Sequence, residues 1–224
     1  MKIKGVIFDM DGTLVESLSF WGYLWERIGR EYFDDAGFVP SEKVDRAART
    51  MIYVDAMTYF WEEYHPCEDI NAFLAFAEDG IESFYKTVAS VKPGACELLR
   101  HLKAAGVPIV LASATSMKYI NVALRALGLD GYMDKILSCA DLGHGKEEPH
   151  IYYAAAKAVG LAADELCVVE DSYVALETAK AAGFHTVGVY DKYGFCHDRL
   201  RAAAEIYIDS NDTLLSLIQR LELK

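Results

Sequence analysis

Residues 2–14 have the sequence KIKGVIFDMDGTL, and this stretch decides the fold class. Its apolar run, Ile3–Phe8, has the length and the β-branched content of a strand that is buried on both faces. Asp9, Asp11 and Gly12 follow directly. Residues that follow a strand of a parallel sheet lie at its carboxyl end, where such folds place their ligand sites. The stretch therefore predicts a buried strand that leads into an acidic site.

Short β-branched runs alternate with helical patterns through residues 88–224. Further strands are predicted at residues 108–113, 135–139, 166–170 and 186–190. Helices are predicted at residues 94–105, 117–127, 150–159 and 174–182. Together with the first strand, this alternation predicts an α/β fold with a doubly wound, Rossmann-like parallel sheet.

Residues 15–87 differ from the rest of the chain in composition and in periodicity. Of the 27 aromatic residues, 16 lie between Phe20 and Tyr85, and residues 15–87 hold 15 acidic against 6 basic side chains. Apolar residues in this segment recur at three- and four-residue spacing, which predicts three or four helices. The sequence thus predicts a core domain formed by residues 1–14 and 88–224. A small all-α domain, residues 15–87, is inserted after the first strand.

The overall composition excludes several kinds of partner. Hydrophobic residues make up 53% of the chain and its formal net charge is −12, as in an acidic globular protein. We expect neither nucleic acid nor an anionic membrane surface as a partner, because both are bound through a basic face. No apolar stretch has the length of a membrane span or of a signal peptide. The five scattered cysteines predict reduced thiols in a cytoplasmic protein, and the oligomeric state is left open between a monomer and a small homo-oligomer.

Groups with catalytic chemistry follow the predicted strands and are expected to meet at one edge of the sheet. They are Asp9, Asp11, Ser113, the backbone of Ala114, Lys146, Glu170 and Asp171. Four carboxylates at one place repel one another unless a cation lies among them, and oxygen donors favour Mg²⁺. A phosphoryl group can be bound by a lysine, a hydroxyl and backbone N–H groups together. A carboxylate can attack phosphorus and form an aspartyl-phosphate, while a second carboxylate moves the proton.

The order of these motifs resembles that of the haloacid dehalogenase superfamily. The motifs are FDMDGTL at residues 8–14, Ser113, Lys146 with Pro149 three residues later, and the run Glu170-Asp171-Ser172. The insert is similar in position to the helical cap of the β-phosphoglucomutase and sugar-phosphatase branch. The resemblance implies a Mg²⁺-dependent phosphatase that acts on a small phosphorylated metabolite, such as a sugar, polyol or phosphoglycolate-like monoester, through an aspartyl-phosphate.

The resemblance also implies a role for each acidic residue. Asp9 would be the nucleophile and a ligand of Mg²⁺. Asp11 would be the general acid and base, with its backbone carbonyl on the metal. Glu170 and Asp171 would hold Mg²⁺, directly or through water.

The phosphoryl group would be bound by the remaining motif residues. Ser113 and the backbone of Ala114 would donate hydrogen bonds to it, and Lys146 would neutralise its charge while holding the nucleophile. From the helical insert, Arg49 is the candidate contact to the substrate.

Two positions depart from the family pattern. His150 replaces the aspartate that commonly follows Pro149, and Ala175 replaces a frequent glycine. Neither departure removes a catalytic group. The six histidines have no ligand spacing, and we expect them at the surface or in the core rather than on a metal.

Three other functions have features in common with this sequence. A phosphosugar mutase similar to β-phosphoglucomutase needs cationic groups in the insert for a second phosphate, and Arg46 and Arg49 are candidates. A non-catalytic phospho-switch also combines acidic residues, a hydroxyl and a lysine, but Asp11 would shorten the life of its phospho-aspartate. An interaction module built on the aromatic helices would expose an apolar patch. Asp11 and the net charge of −9 on residues 15–87, which repels a second phosphate, favour a phosphatase that acts on a monophosphate.

Overall fold

The computed structural model of the protein describes residues 2–49, 51 and 53–223. Met1, Thr50, Ile52 and Lys224, which fall within the predicted domain ranges, lie outside the described residues. The strands are β1 (Lys2–Ile3), β2 (Gly5–Phe8), β3 (Val15–Glu16), β4 (Ser90–Val91), β5 (Ile109–Ser113), β6 (Lys135–Ser138), β7 (Leu166–Glu170), β8 (His185–Val189), β9 (Ile206–Ile208) and β10 (Glu222–Leu223). The α-helices are α1 (Phe20–Tyr32), α2 (Glu42–Ala48), α3 (Tyr53–Tyr64), α4 (Ile70–Thr87), α5 (Ala95–Ala104), α6 (Met117–Ala126), α7 (Cys139–Leu142), α8 (His150–Val159), α9 (Tyr173–Ala181), α10 (His197–Ala203) and α11 (Leu217–Arg220).

Six of the strands form one parallel sheet, in the order β6-β5-β2-β7-β8-β9. β2 lies between β5 and β7. Along the chain, the sheet therefore extends first through β5 and β6 on one side of β2, and then through β7, β8 and β9 on the other side. Doubly wound sheets form their crevice at such a point, beyond the carboxyl ends of the strands. The predicted α/β fold is confirmed. The sequence does not predict β9, because its apolar run of three residues is too short to distinguish from a loop.

The large sheet is buried on both faces. Every residue of β2, β5 and β7 is buried. Ile7, Val110 and Val168 belong to one apolar cluster, which α8 and α9 complete. Successive side chains of a strand point to opposite faces, so the fully buried Val6 and Leu111 lie on the other face. This double burial explains why the strands appear in the sequence as continuous apolar runs.

The chain divides into two compact units. We call them the sheet unit (Met1–Leu18 with Ala89–Lys224) and the helical unit (Ser19–Val88). The sequence places the start of the insert at residue 15, whereas the helical unit begins at Ser19. The difference arises because β3 pairs antiparallel with β4, which holds the residues before Ser19 in the sheet unit.

The helical unit consists of α1, α2, α3 and α4 around an aromatic core. Trp25, Phe60 and Phe73 are buried, and the ring of Phe60 stacks on both of the others, with centroids 5.2 and 5.6 Å apart. Ser41 and Asp69 cap α2 and α4 by accepting hydrogen bonds from backbone N–H groups. The aromatic residues that set this segment apart in the sequence therefore largely build its own core.

Among the described residues, no helix combines the length and the apolar character that a membrane span requires. All five cysteines are described, and each is a free thiol.

Candidate active site

Asp9 is the first residue after β2, at the carboxyl end of the sheet. Its backbone N–H donates to the carbonyl oxygen of Val169 at 3.0 Å, which continues the pairing of β2 with β7 by one residue. The side chain is only 8% exposed. The central strand thus holds the predicted nucleophile rigidly and largely away from bulk water.

The backbone turns sharply after Asp9, and Gly12 makes the turn possible. Gly12 has a φ of +82°, in the left-handed region that glycine tolerates. A Cβ at this position would lie 2.4 Å from Oδ2 of Asp171. The glycine of the first motif therefore allows the carboxylate of the last motif to approach the backbone closely.

Lys146 joins the first and the last motif through its ammonium group. Nζ of Lys146 donates to Oδ1 of Asp9, and it donates to Oε1 of Glu170 at 2.6 Å. The other oxygen of Glu170, Oε2, accepts from the backbone N–H of Ser172 at 2.9 Å. The side chain of Lys146 is 11% exposed, so this is a largely buried ion-pair network.

Three of the four residues predicted to hold a metal ion have carboxylates that lie close together. Asp9, Glu170 and Asp171 each offer an oxygen, and these atoms all lie within 4.8 Å of one another. The hydroxyl of Thr13 donates to Oδ1 of Asp171 at 3.2 Å, which orients that carboxylate. An oxygen-only donor set of this size fits a hard divalent cation such as Mg²⁺.

The charges in this cluster are not balanced by the one lysine. Burial raises the pKa of Asp9 to about 8, Lys146 opposes this, and the charges of Glu170 and Asp11 add to it. Burial also raises the pKa of Asp171 well above its ordinary value, with further contributions from Glu170 and Asp9. Burial would lower the pKa of Lys146, but the carboxylates of Asp9 and Glu170 raise it well above its ordinary value. A second cation would lower the carboxylate pKa values and complete the charge balance.

Asp11 is held by two hydroxyl groups. Oγ of Ser17 donates to Oδ1 of Asp11 at 2.6 Å, and Oγ1 of Thr115 donates to Oδ2 at 2.7 Å. A hydroxyl can either donate or accept, so the same partners can hold the carboxylate and the carboxylic acid. The arrangement fits a group that takes up and releases a proton without changing position.

Ser113 is the last residue of β5 and is buried, and Ala114 is exposed directly after it. Oγ of Ser113 accepts from the backbone N–H of Thr115 at 3.1 Å. Oγ of Ser138 donates to the carbonyl oxygen of Thr115 at 2.8 Å, which ties this turn to β6. The turn after β5 is therefore a fixed structure with a hydroxyl and backbone groups at the carboxyl end of the sheet.

Arg49 lies in the helical unit, after α2. Its guanidinium is paired with Asp45, from Nε to Oδ2 at 2.8 Å and from Nη2 to Oδ1 at 3.1 Å. Asp45 also accepts from Nε1 of Trp25 at 2.6 Å. The role of Arg49 in substrate binding stays a prediction.

Ser17 and Asp191 also lie close to these groups, and neither has a role predicted from the sequence. Ser17 carries no recognisable signal. Asp191, however, comes two residues after β8, so the rule that identified Asp9 would also have identified it. Lys92 donates to Oδ2 of Asp191 at 2.7 Å, both side chains are buried, and the charge of Asp191 contributes to the raised pKa of Asp171.

Comparisons with known proteins identify the family of this chain. A family model described as haloacid dehalogenase-like hydrolase matches residues 3–183. Hexitol phosphatase A of Escherichia coli K12 is 29% identical over 189 residues, which cover 84% of each chain. A phosphorylated carbohydrates phosphatase of Thermotoga maritima is 24% identical over 195 residues, which cover 87% of this chain and 86% of that protein.

A solved structure of a proposed β-phosphoglucomutase from Thermotoga maritima has the same fold. It superposes with a TM-score of 0.82 over 97% of this chain and 99% of that chain, at 22% identity. The family match covers most of the chain and includes each of the carboxylates that meet at the end of the sheet. The chain therefore belongs to the haloacid dehalogenase-like hydrolases.

Proposed function

We propose that the protein is a Mg²⁺-dependent phosphatase that hydrolyses small sugar or polyol monophosphates through an aspartyl-phosphate on Asp9. The observation that carries this proposal is the arrangement around Asp9. Its carboxylate is held by Lys146 at the carboxyl end of β2, and the proton-handling carboxylate of Asp11 lies two residues further along the same turn.

The first step is an attack of Asp9 on phosphorus. Lys146 binds Oδ1 of Asp9 and so fixes the direction of the carboxylate. As the new O–P bond forms, the bond from phosphorus to the leaving oxygen breaks, and its electron pair goes to that oxygen. Lys146, Ser113 and the backbone N–H of Ala114 stabilise the charge on the phosphoryl oxygens.

Proton transfer is assigned to Asp11. An alkoxide is a poor leaving group, so Asp11 donates a proton to it as the bond to phosphorus breaks. Asp11 then accepts a proton from the water that attacks the aspartyl-phosphate, which releases phosphate and restores Asp9. The hydroxyls of Ser17 and Thr115 keep Asp11 in place through both steps.

Asp9, Glu170 and Asp171, with the backbone carbonyl of Asp11, would hold Mg²⁺. When bound, Mg²⁺ supplies positive charge against the phosphoryl oxygens and the carboxylates. Both oxygens of Glu170 already accept hydrogen bonds, which supports a ligand role through water for this residue.

Two observations support a sugar or polyol monophosphate as the substrate class. The relatives named above are a hexitol phosphatase and a phosphatase of phosphorylated carbohydrates. In addition, Arg46 and Arg49, the candidates for a second phosphate, are paired with two acids of α2, Glu42 and Asp45. We also propose a cytoplasmic location for the protein, which its free thiols support.

The proposed function is tested by phosphate release from a panel of sugar and polyol monophosphates. We expect steady turnover with Mg²⁺ and a loss of about 100-fold or more in EDTA, because a metal ion contributes several kcal/mol of transition-state stabilisation. Adding Mg²⁺ back should restore the rate. Turnover that is unchanged in EDTA would contradict the assignment of the carboxylate cluster.

A comparison of monophosphates with bisphosphates tests the proposed preference for a single phosphate group. Each close contact between a second phosphate and an exposed acidic side chain weakens substrate binding by about 1 kcal/mol. The value of kcat/KM for glucose 1,6-bisphosphate should therefore be roughly fivefold lower than for glucose 6-phosphate. The difference should shrink at high salt. Interconversion of glucose 1-phosphate and glucose 6-phosphate at the rate of phosphate release would instead establish a mutase.

A further inference from the structure

A group of potential metal ligands lies outside the carboxylate cluster. It consists of His144, Glu148 and His150, and we call it the His144 cluster. One ligand atom from each residue lies within 4.8 Å of the others. Nδ1 of His144 is 2.6 Å and Nδ1 of His150 is 3.2 Å from the same carboxylate oxygen, Oε2 of Glu148. Both histidines lie at the surface, as expected, but their ring nitrogens face one shared carboxylate, which the sequence did not reveal.

The backbone brings these three residues together across a turn. Glu148 donates its backbone N–H to the carbonyl oxygen of Gly145 at 3.3 Å, and α8 begins at His150. The two imidazole rings then stack, with centroids 3.9 Å apart and planes at 12°. A spacing of six residues does not match the helix period, and residues 144–150 have no strand pattern, which is why the sequence did not reveal the pair.

The donor atoms select a different kind of ion from Mg²⁺. Imidazole nitrogens favour Zn²⁺, Ni²⁺ and Cu²⁺, and two histidines with one carboxylate are a common ligand set for such ions. In a tetrahedral Zn²⁺ site with bonds of about 2.1 Å, the ligand atoms lie roughly 3.4 Å apart. The Nδ1 to Oε2 separations of 2.6 and 3.2 Å need to widen by less than about 1 Å to reach that geometry.

The surroundings allow both this adjustment and access from solvent. The side chains of His144, Glu148 and His150 are 45%, 50% and 52% exposed. They can change rotamer without disturbing the core, and a fourth ligand position can be filled by water. The carboxylate cluster differs from the His144 cluster in burial and in donor type. Asp9 and Glu170 are buried, and they offer only oxygen atoms as ligands.

We propose that His144, Glu148 and His150 form a second metal site, which binds a divalent transition-metal ion of the Zn²⁺ type. Lys146 lies between the ligands in the sequence, and its ammonium contacts Asp9 and Glu170. A bound ion closes the loop from residue 144 to residue 150 into a ring, and so restrains the backbone that carries Lys146. One of its ligands, His150, occupies the position at which the haloacid dehalogenase superfamily commonly has aspartate.

The test is a calorimetric titration of the full chain with Zn²⁺ in an excess of Mg²⁺, which occupies the carboxylate cluster. We expect one Zn²⁺ to bind per chain. His144→Gln and His150→Gln should each weaken binding by at least about tenfold, since even loss of an outer-shell partner commonly costs roughly 10–100-fold in metal affinity. The matched control is His101→Gln, which changes an exposed histidine of α5 and should leave the affinity unchanged.

A second measurement identifies the ligands directly. In nitrogen-15 spectra of the imidazole groups, Zn²⁺ should shift the resonances of His144 and His150 and leave those of His101 in place. Because neither measurement uses phosphate release, both outcomes are independent of the proposed catalytic activity. Equal Zn²⁺ affinity in wild type and in the His144→Gln, His150→Gln double variant would overturn the proposal, and so would the absence of binding to wild type.

Discussion

Asp9→Asn is expected to reduce kcat for sugar monophosphates by about 10⁴-fold or more. The asparagine amide has nearly the shape of the carboxylate but does not attack phosphorus, so the aspartyl-phosphate cannot form. Removing the nucleophile of an enzyme that forms a covalent intermediate has effects of this size or larger. The measurement is phosphate release under saturating Mg²⁺, with Asp141→Asn, an exposed aspartate of α7, as the matched control.

Thermal unfolding separates loss of chemistry from loss of fold in this variant. Burial raises the pKa of Asp9 from 3.8 to about 8, so the folded protein binds a proton that the unfolded chain releases between those values. In EDTA, wild type should therefore lose stability as the pH rises through this window. Asparagine stays neutral, so the Asp9→Asn variant should lose less over the same range. An active Asp9→Asn protein would contradict the mechanism, whereas an inactive and less stable one would leave only a structural role for Asp9.

The strands and the site-bearing edge of the sheet could be predicted because each has a local signal. Buried strands such as β2 and β7 are continuous apolar runs, and Asp9 and Glu170 stand where those runs end. Once the sheet is assumed to be parallel, its topology brings the strand ends together. The position of Lys146 could be predicted only from motif order, because a lysine in a loop has no local signal of its own.

The features that escaped prediction depend on irregular turns that bring together residues six positions apart. Ser17 reaches Asp11 because the chain turns between Met10 and Val15, and the strand that follows, β3, is only two residues long. His144 and His150 meet because the turn before α8 brings their imidazole rings together, and the two rings stack. Neither pair lies within one helix or strand, so no hydrophobic pattern of the sequence reveals the contact.

Asp11→Asn is expected to reduce kcat for sugar monophosphates by about 10²–10⁴-fold, the usual contribution of a general acid or base. Asparagine can accept a hydrogen bond from Ser17 and donate one to Thr115, so the turn should keep its structure. What is lost is the proton that the leaving alkoxide needs and the base that activates water. Thr115→Val, which removes one hydroxyl partner and leaves the carboxylate, should have a smaller effect.

The choice of leaving group separates the two steps that Asp11 serves. p-Nitrophenolate leaves as a stable anion and needs no proton, so attack by Asp9 on p-nitrophenyl phosphate should survive in Asp11→Asn. Hydrolysis of the aspartyl-phosphate still needs the missing base, so the variant should release one equivalent of p-nitrophenolate per chain in a burst and then turn over slowly. An equal loss of rate with both substrates and no burst would assign Asp11 a role in positioning Asp9 instead. Because the burst reports a phosphorylated chain, its absence in the Asp9→Asn, Asp11→Asn double variant would identify Asp9 as the residue that carries the phosphoryl group.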